Sequence, residues 1–156
     1  MDSDKPCILV VDDEENIVYA IARFLERKGC RVLGAADAQA ALEAVREVEP
    51  AVALLDIVLP GMNGLRLAGE IKLRWPDCEM VMITGQSSLE SAVEAIHRGA
   101  FDYLAKPFDS LEVLWTATLR ALDKRAAAKG KQAILDRMEC IEAEIRPAVK
   151  TIADEP

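Results

Sequence analysis

The strongest constraint on this chain is an alternation. Short apolar, β-rich runs at Cys7–Val11, Arg31–Ala35, Val52–Leu55, Met80–Thr84 and Phe101–Ala105 are separated by stretches with helical spacing. Several runs are apolar at consecutive positions, as expected of parallel strands covered on both faces. Glu15–Lys28 places Ile17, Ala20, Ile21, Phe24 and Leu25 on one helical face, and Gly29 suits its end. Asp37 is placed to cap a second helix bearing Ala41, Leu42, Val45 and Val48. Leu65–Trp75 forms a third, stopped before Pro76. Ser87-Ser88-Leu89-Glu90 opens a fourth with a capping box, and Asp109-Ser110-Leu111-Glu112 opens a fifth in the same way. Five strand–helix units within roughly 125 residues predict an α/β domain: a doubly wound parallel sheet with helices on both faces.

In such sheets ligands bind at the carboxyl ends of the strands, where strand order reverses. The strand ends are therefore informative. The first run ends in Asp12-Asp13, the third in Asp56, the fourth in Thr84 and the fifth in Lys106-Pro107. Three carboxylates converging on one crevice repel one another unless a cation or a proton intervenes. Aspartates and a hydroxyl, without a histidine or cysteine cluster, suit a hard oxygen-seeking ion, magnesium or manganese. Magnesium commonly bridges carboxylates to a phosphoryl group, and Lys106 and Thr84 are then expected to donate to phosphoryl oxygens. Glu14 and Glu15 read as the solvated first turn of a helix, complementing its dipole.

Bulk properties exclude other classes. The formal charge of −8 argues against a nucleic-acid grip through phosphate neutralisation. No run approaches the ~20 apolar residues of a membrane span. The polar start MDSDKPC does not resemble a secretory signal. Cys7, Cys30, Cys78 and Cys140 are widely spaced and expected to be reduced, which suits a cytoplasmic location.

The pattern "VVDDEEN … LLDIVLPGMNGL … MITG … AFDYLAKPF" resembles the receiver domain of bacterial two-component response regulators over residues from about 6 to 125. The style is closest to receivers of sigma-54-dependent activators. The resemblance implies a flavodoxin-like sheet of order 2-1-3-4-5 and a phosphoacceptor role for Asp56. The phosphoryl donor would be a sensor histidine kinase or a histidine phosphotransfer protein, and the output a downstream protein or domain. It also implies magnesium held by Asp13, Asp56 and the backbone carbonyl of Val58, with Asp12 acting through water. Lys106 would pair with Asp56 at rest, Thr84 would move toward the phosphoryl group, and Tyr103 would turn inward as an aromatic switch. Helix four, strand five and helix five would then change surface shape. Lys106-Pro107 is expected to be cis. Gly61 and Gly64 are expected to serve the loop beside Asp56 structurally. In relatives Val58 and Gln86 occupy positions that tune phosphoryl lifetime, with opposing expectations here. His97 is expected on the surface.

Two rival classes fit the sequence less well. A magnesium-dependent phosphohydrolase would place its nucleophile in a DxD pattern at the first strand, which this chain lacks. A non-phosphorylated receiver is disfavoured by the intact acidic pair, Asp56, Thr84 and Lys106. The chain is thus expected not to be an enzyme beyond its own phosphorylation and dephosphorylation.

Residues 126–156 fall outside the five-unit pattern. Ile134, Met138, Ile141, Ile145, Ala148 and Ile152 recur at alternating spacings of four and three, a heptad-like stripe. Pro147 is expected to kink or end that helix. The segment is expected to pack on its own receiver, link to an effector domain or pair with a second copy.

Overall fold

The computed structural model describes residues 4–85, 89–97, 99–100, 102–107 and 110–154. The expected caps at Ser87-Ser88 and Asp109, and Gln86, lie outside them. Five strands, β1 (Cys7–Val11), β2 (Arg31–Ala35), β3 (Val52–Asp56), β4 (Glu79–Thr84) and β5 (Asp102–Ala105), alternate with α1 (Glu15–Arg27), α2 (Ala38–Ala44), α3 (Gly64–Arg74), α4 (Leu89–His97) and α5 (Leu111–Asp154). The strands form one parallel sheet of order β2-β1-β3-β4-β5, so the expected fold holds. The chain divides into two compact units, Met1–Arg125 and Ala126–Pro156.

Within the first unit, strand alternation distributes side chains to two cores. Ile8, Val10, Val52, Leu54, Val81 and Ile83 pack with Ile21 and Leu25 of α1 and Leu114, Ala117 and Ala121 of α5. Leu9, Val11, Ala53, Leu55, Met80 and Met82 face the other way, onto Ala41 of α2, Leu67, Ala68 and Ile71 of α3, and Ala95 of α4. Every residue of β1, β3 and β4 is buried, while the edge strand β2 is largely not. This explains the near-continuous apolar runs: a strand covered on both faces has no polar side to present.

Local signals set most element ends. Asp37 caps α2, its Oδ1 accepting from Ala40 N at 2.8 Å. Gly29 takes φ +91°, a conformation that side chains with a Cβ rarely adopt, and Cys30 N donates back to Leu25 O at 3.1 Å. Helix α2 stops at Ala44, so Val48 lies beyond it, shorter than its apolar spacing suggests. Val45 O is committed to Trp75 Nε1 at 2.7 Å.

In the second unit, α5 continues through Pro147 to Asp154. The expected end of the helix at Pro147 is therefore corrected. Proline removes one N–H that would bond Ala143 O, but on an exposed helix water can satisfy that carbonyl. Ile134, Met138, Ile141 and Ile145 are all exposed.

Candidate phosphoacceptor site

The reversal of strand order falls between β1 and β3, because the chain winds outward from β1 to β2 and then crosses back to β3. Asp12 and Asp13 leave the end of β1, and Asp56 ends β3. The topology thus brings two acidic strand ends to the place where open α/β sheets hold ligands. One carboxylate oxygen from each of Asp12, Asp13 and Asp56 lies within 4.8 Å of the others. Asp12 and Asp56 are buried, at 3% and 7% exposure, whereas Asp13 is exposed.

Lys106 follows β5 and enters the same cluster. Its Nζ donates to Asp12 Oδ2 and, at 3.2 Å, to Asp56 Oδ2. Its own backbone N–H donates to Thr84 O at 2.8 Å, fixing it to the end of β4. The Lys106-Pro107 peptide is cis, as expected. Two backbone amides complete the anchoring of the acids. Glu14 N donates to Asp12 Oδ1 at 2.9 Å, and Val58 N donates to Asp56 Oδ1 at 3.1 Å.

The charge balance is uneven, with three carboxylates facing one ammonium. Burial pushes the Asp56 carboxyl above its ordinary range; the Val58 amide and Lys106 pull it down, and Asp12 adds to the rise. Burial alone would lower Lys106, but its hydrogen bond to Asp12 and the charges of both aspartates outweigh it and hold the ammonium above the usual lysine range. An all-oxygen donor set, crowded and under-neutralised, fits a hard divalent cation. Asp12, Asp13 and Asp56 are the side chains that could hold it.

Glycine at position 64 is dictated by this site. A Cβ there would lie 1.9 Å from Asp56 O and 2.9 Å from Ile57 Cα, closer than atoms pack. Gly64 N donates to Ile57 O at 2.8 Å, and Asn63 caps α3 by accepting from Leu65 N at 2.7 Å. Helix α3 therefore starts directly against the backbone of Asp56. The "GMNGL" sequence announced a turn; the contact that requires Gly64 could not be read from it, because it depends on how closely α3 approaches β3.

The other expected residues lie around this centre. Thr84 is buried at the end of β4. Tyr103 is half-buried on β5, in register with Met82, and packs on the core beneath α3 and α4. The Val58 side chain is exposed, and so is His97.

A doubly wound five-stranded sheet with an acidic cluster and one lysine at its switch point defines a class of α/β domains whose strand ends could hold a cation. Comparison with known proteins narrows it. The chain belongs to the response regulator receiver domain family, which it matches over residues 8–118. It is 42% identical over 118 residues to the nitrogen assimilation regulatory protein NtrX of Azorhizobium caulinodans, covering 74% of this chain and 26% of that protein. It is 41% identical over 102 residues to the DNA-binding transcriptional regulator NtrC of Escherichia coli, covering 65% of this chain and 22% of that one. The crystal structure of the receiver domain of NtrX from Brucella abortus superposes with a TM-score of 0.69 at 42% identity, over 74% of this chain and 98% of that domain. The chain spans about a quarter of the length of the curated relatives it matches.

Proposed function

We propose that this chain is the phosphorylatable input module of a two-component regulator, with Asp56 as the acceptor. The observation that carries this reading is the pairing of a buried Asp56 carboxylate with Lys106 inside an acidic cluster at the switch point. An Asp56 oxygen attacks the phosphorus of a phosphohistidine on a sensor kinase or a phosphotransfer protein. The new O–P bond forms as the N–P bond breaks, and its electron pair returns to the donor imidazole. The step is positioning and charge neutralisation rather than general acid–base work. Asp13, Asp56 and the Val58 carbonyl, with Asp12 acting through water, would hold magnesium, which would supply countercharge for the phosphoryl oxygens; manganese has the same donor preference. Lys106 passes from the resting carboxylate to the phosphoryl group, and the Thr84 hydroxyl donates to another of its oxygens. Tyr103 turns inward as Thr84 moves, and the surface of α4, β5 and α5 shifts population toward a form that a downstream protein or output domain reads. The chain acts in the cytoplasm by protein contact, without itself gripping nucleic acid; no described helix is long and apolar enough to cross a membrane.

The test is incubation with Mg2+ and acetyl phosphate or beryllofluoride, read by intact mass and by amide NMR shifts. One phosphoryl addition is expected, lost entirely in Asp56→Asn. Addition that survives Asp56→Asn would move the acceptor elsewhere. Sustained multiple turnover of a generic phosphate ester would favour the phosphohydrolase instead.

A further inference from the structure

Helix α3 begins with a glycine that its own backbone does not need. Gly64 takes no positive φ, unlike Gly29, Gly61 and Gly99. At ordinary helical dihedrals alanine is the better helix former, because glycine loses more backbone freedom on folding. What Gly64 supplies is therefore space. Its missing Cβ would fall 1.9 Å from the Asp56 carbonyl oxygen, 2.8 Å from the Asp56 carbonyl carbon and 2.9 Å from Ile57 Cα. All three are backbone atoms, so no change of rotamer relieves the clash. Gly69 of the same helix differs, since a Cβ there meets open space.

The backbone that Gly64 touches is the one that aims the acceptor. On one side it is held to β4, where Asp56 lies in register with Ile83 and Ile57 N donates to Ile83 O at 3.3 Å. On the other side Gly64 N donates to Ile57 O at 2.8 Å. Val58 follows, its N–H donating to Asp56 Oδ1 at 3.1 Å, while Lys106 Nζ reaches Asp56 Oδ2 at 3.2 Å. Helix α3 is itself pinned by buried Leu65, Leu67, Ala68 and Ile71. The Asp56–Val58 backbone thus sits in a gap with no slack, between β4 and the first residue of α3. A methyl group on the α3 side widens that gap. The Asp56–Ile57 peptide then shifts, and the carboxylate turns relative to Lys106, Asp12 and Asp13.

We propose that Gly64 is a positioning residue: its bare Cα sets the approach of α3 to the Asp56–Val58 backbone, and thereby the Mg2+ affinity and the rate at which Asp56 takes a phosphoryl group. The proposal rests on the reading of Asp56 as the acceptor. A glycine needed only for packing would change stability and leave the folded site as it was.

Wild type, Gly64→Ala and Gly69→Ala are compared as full chains, at a temperature where each is folded by near-ultraviolet circular dichroism. The readouts are the Ile57 and Val58 amide shifts in metal-free buffer, the Mg2+ dissociation constant from NMR titration, and the rate of phosphoryl addition from acetyl phosphate at saturating Mg2+. Gly64→Ala should move both amides and raise the Mg2+ dissociation constant roughly tenfold. It should also slow phosphoryl addition about tenfold or more. Gly69→Ala should match wild type on all three. Wild-type affinity and rate in folded Gly64→Ala, whatever its melting temperature, overturn the proposal. So do equal losses in Gly69→Ala, which would trace the effect to helix propensity. If Gly64→Ala does not fold, Asn63→Ala decides, because it removes the acceptor of Leu65 N at the start of α3 and adds no atoms. A Mg2+ dissociation constant raised about twofold or more then supports the proposal, and an unchanged one overturns it. Phosphoryl addition that persists in Asp56→Asn sinks the acceptor reading and this proposal with it. Addition lost in Asp56→Asn but unaltered in Gly64→Ala sinks the proposal alone.

Discussion

The two ends of the sheet both bury carboxylates, and they treat them in opposite ways. At the carboxyl end, Asp12, Asp13 and Asp56 share one lysine. At the amino end, acids and bases are matched. Glu49 Oε1 lies 2.8 Å from Arg125 Nη2, and Glu79 Oε2 lies 3.4 Å from Lys124 Nζ. Glu79 is only 6% exposed, about as buried as Asp56. Burial of an acid therefore does not by itself mark a functional site in this fold. The mark is burial without enough countercharge, because such a site gains free energy when a cation arrives. The balanced end instead ties the 111–125 portion of α5 to the start of β4 and the segment before β3.

The largest effect that separates the two ends is the response to Mg2+. Wild type is expected to gain roughly 1.4 kcal/mol of unfolding free energy at Mg2+ about ten times its dissociation constant, a shift of several degrees in melting temperature. Asp56→Asn should melt higher than wild type in metal-free buffer, since it relieves carboxylate repulsion, and should lose most of the Mg2+ gain. Differential scanning calorimetry with and without the ion reads both. Equal Mg2+ gains in the two proteins would break the comparison, because the under-neutralised end would then not be where the cation acts.

A smaller effect is expected at the matched end. Lys124→Met leaves Glu79 buried without its cation and should cost about 1 kcal/mol or less in urea denaturation, because Lys124 is itself 54% exposed and its attraction is screened. Adding Glu79→Gln should recover most of that loss, since removing both charges leaves neither uncompensated. The Mg2+ gain should be unchanged in both variants. If it changed, the ends would be coupled, and the division into ligand-responsive and structural clusters would need revision.

This contrast also shows what the residues disclosed in advance. The acidic strand ends were legible because each acid directly follows a run too apolar to be solvated, as in Leu54-Leu55-Asp56. Topology then did the rest, since sheet order alone decides which strand ends meet. Glu79, Glu49, Lys124 and Arg125 were not legible. They lie far apart in the chain, none repeats a pattern, and a Glu beside an apolar run is read as the solvated end of a strand. The start of β4 at Glu79 rather than Met80 follows from Glu79 N bonding Ala51 O at 3.1 Å, a contact with no local signal. Of the two outcomes expected at Pro147, a kink or an end, the end is overturned for a related reason. Local propensity registers the lost N–H donor, not the solvent that makes its loss tolerable.

The most local test concerns Cys78, which abuts Glu79 in the matched cluster and is fully buried. Burial pushes its thiol up to about 12, against smaller downward pulls from Lys72 and Arg125. Its pKa lies above the ordinary value of 9.0, so the folded state holds a proton that the unfolded chain releases. The associated stability is complete below pH about 9 and is lost as pH rises toward 12, with a slope of about 1.4 kcal/mol per pH unit. Urea denaturation at pH 8 to 10.5 should therefore show a steeper alkaline decline in wild type than in Cys78→Ala, on top of a constant cavity cost in the variant. Native-state iodoacetamide at pH 8 should label the exposed Cys140 and spare Cys78. Rapid labelling of Cys78 in the folded chain, or parallel pH slopes, would mean that the matched end is open to water. A matched but wet cluster would be held by screened surface charge, and charge balance would no longer distinguish the structural end of the sheet from the reactive one.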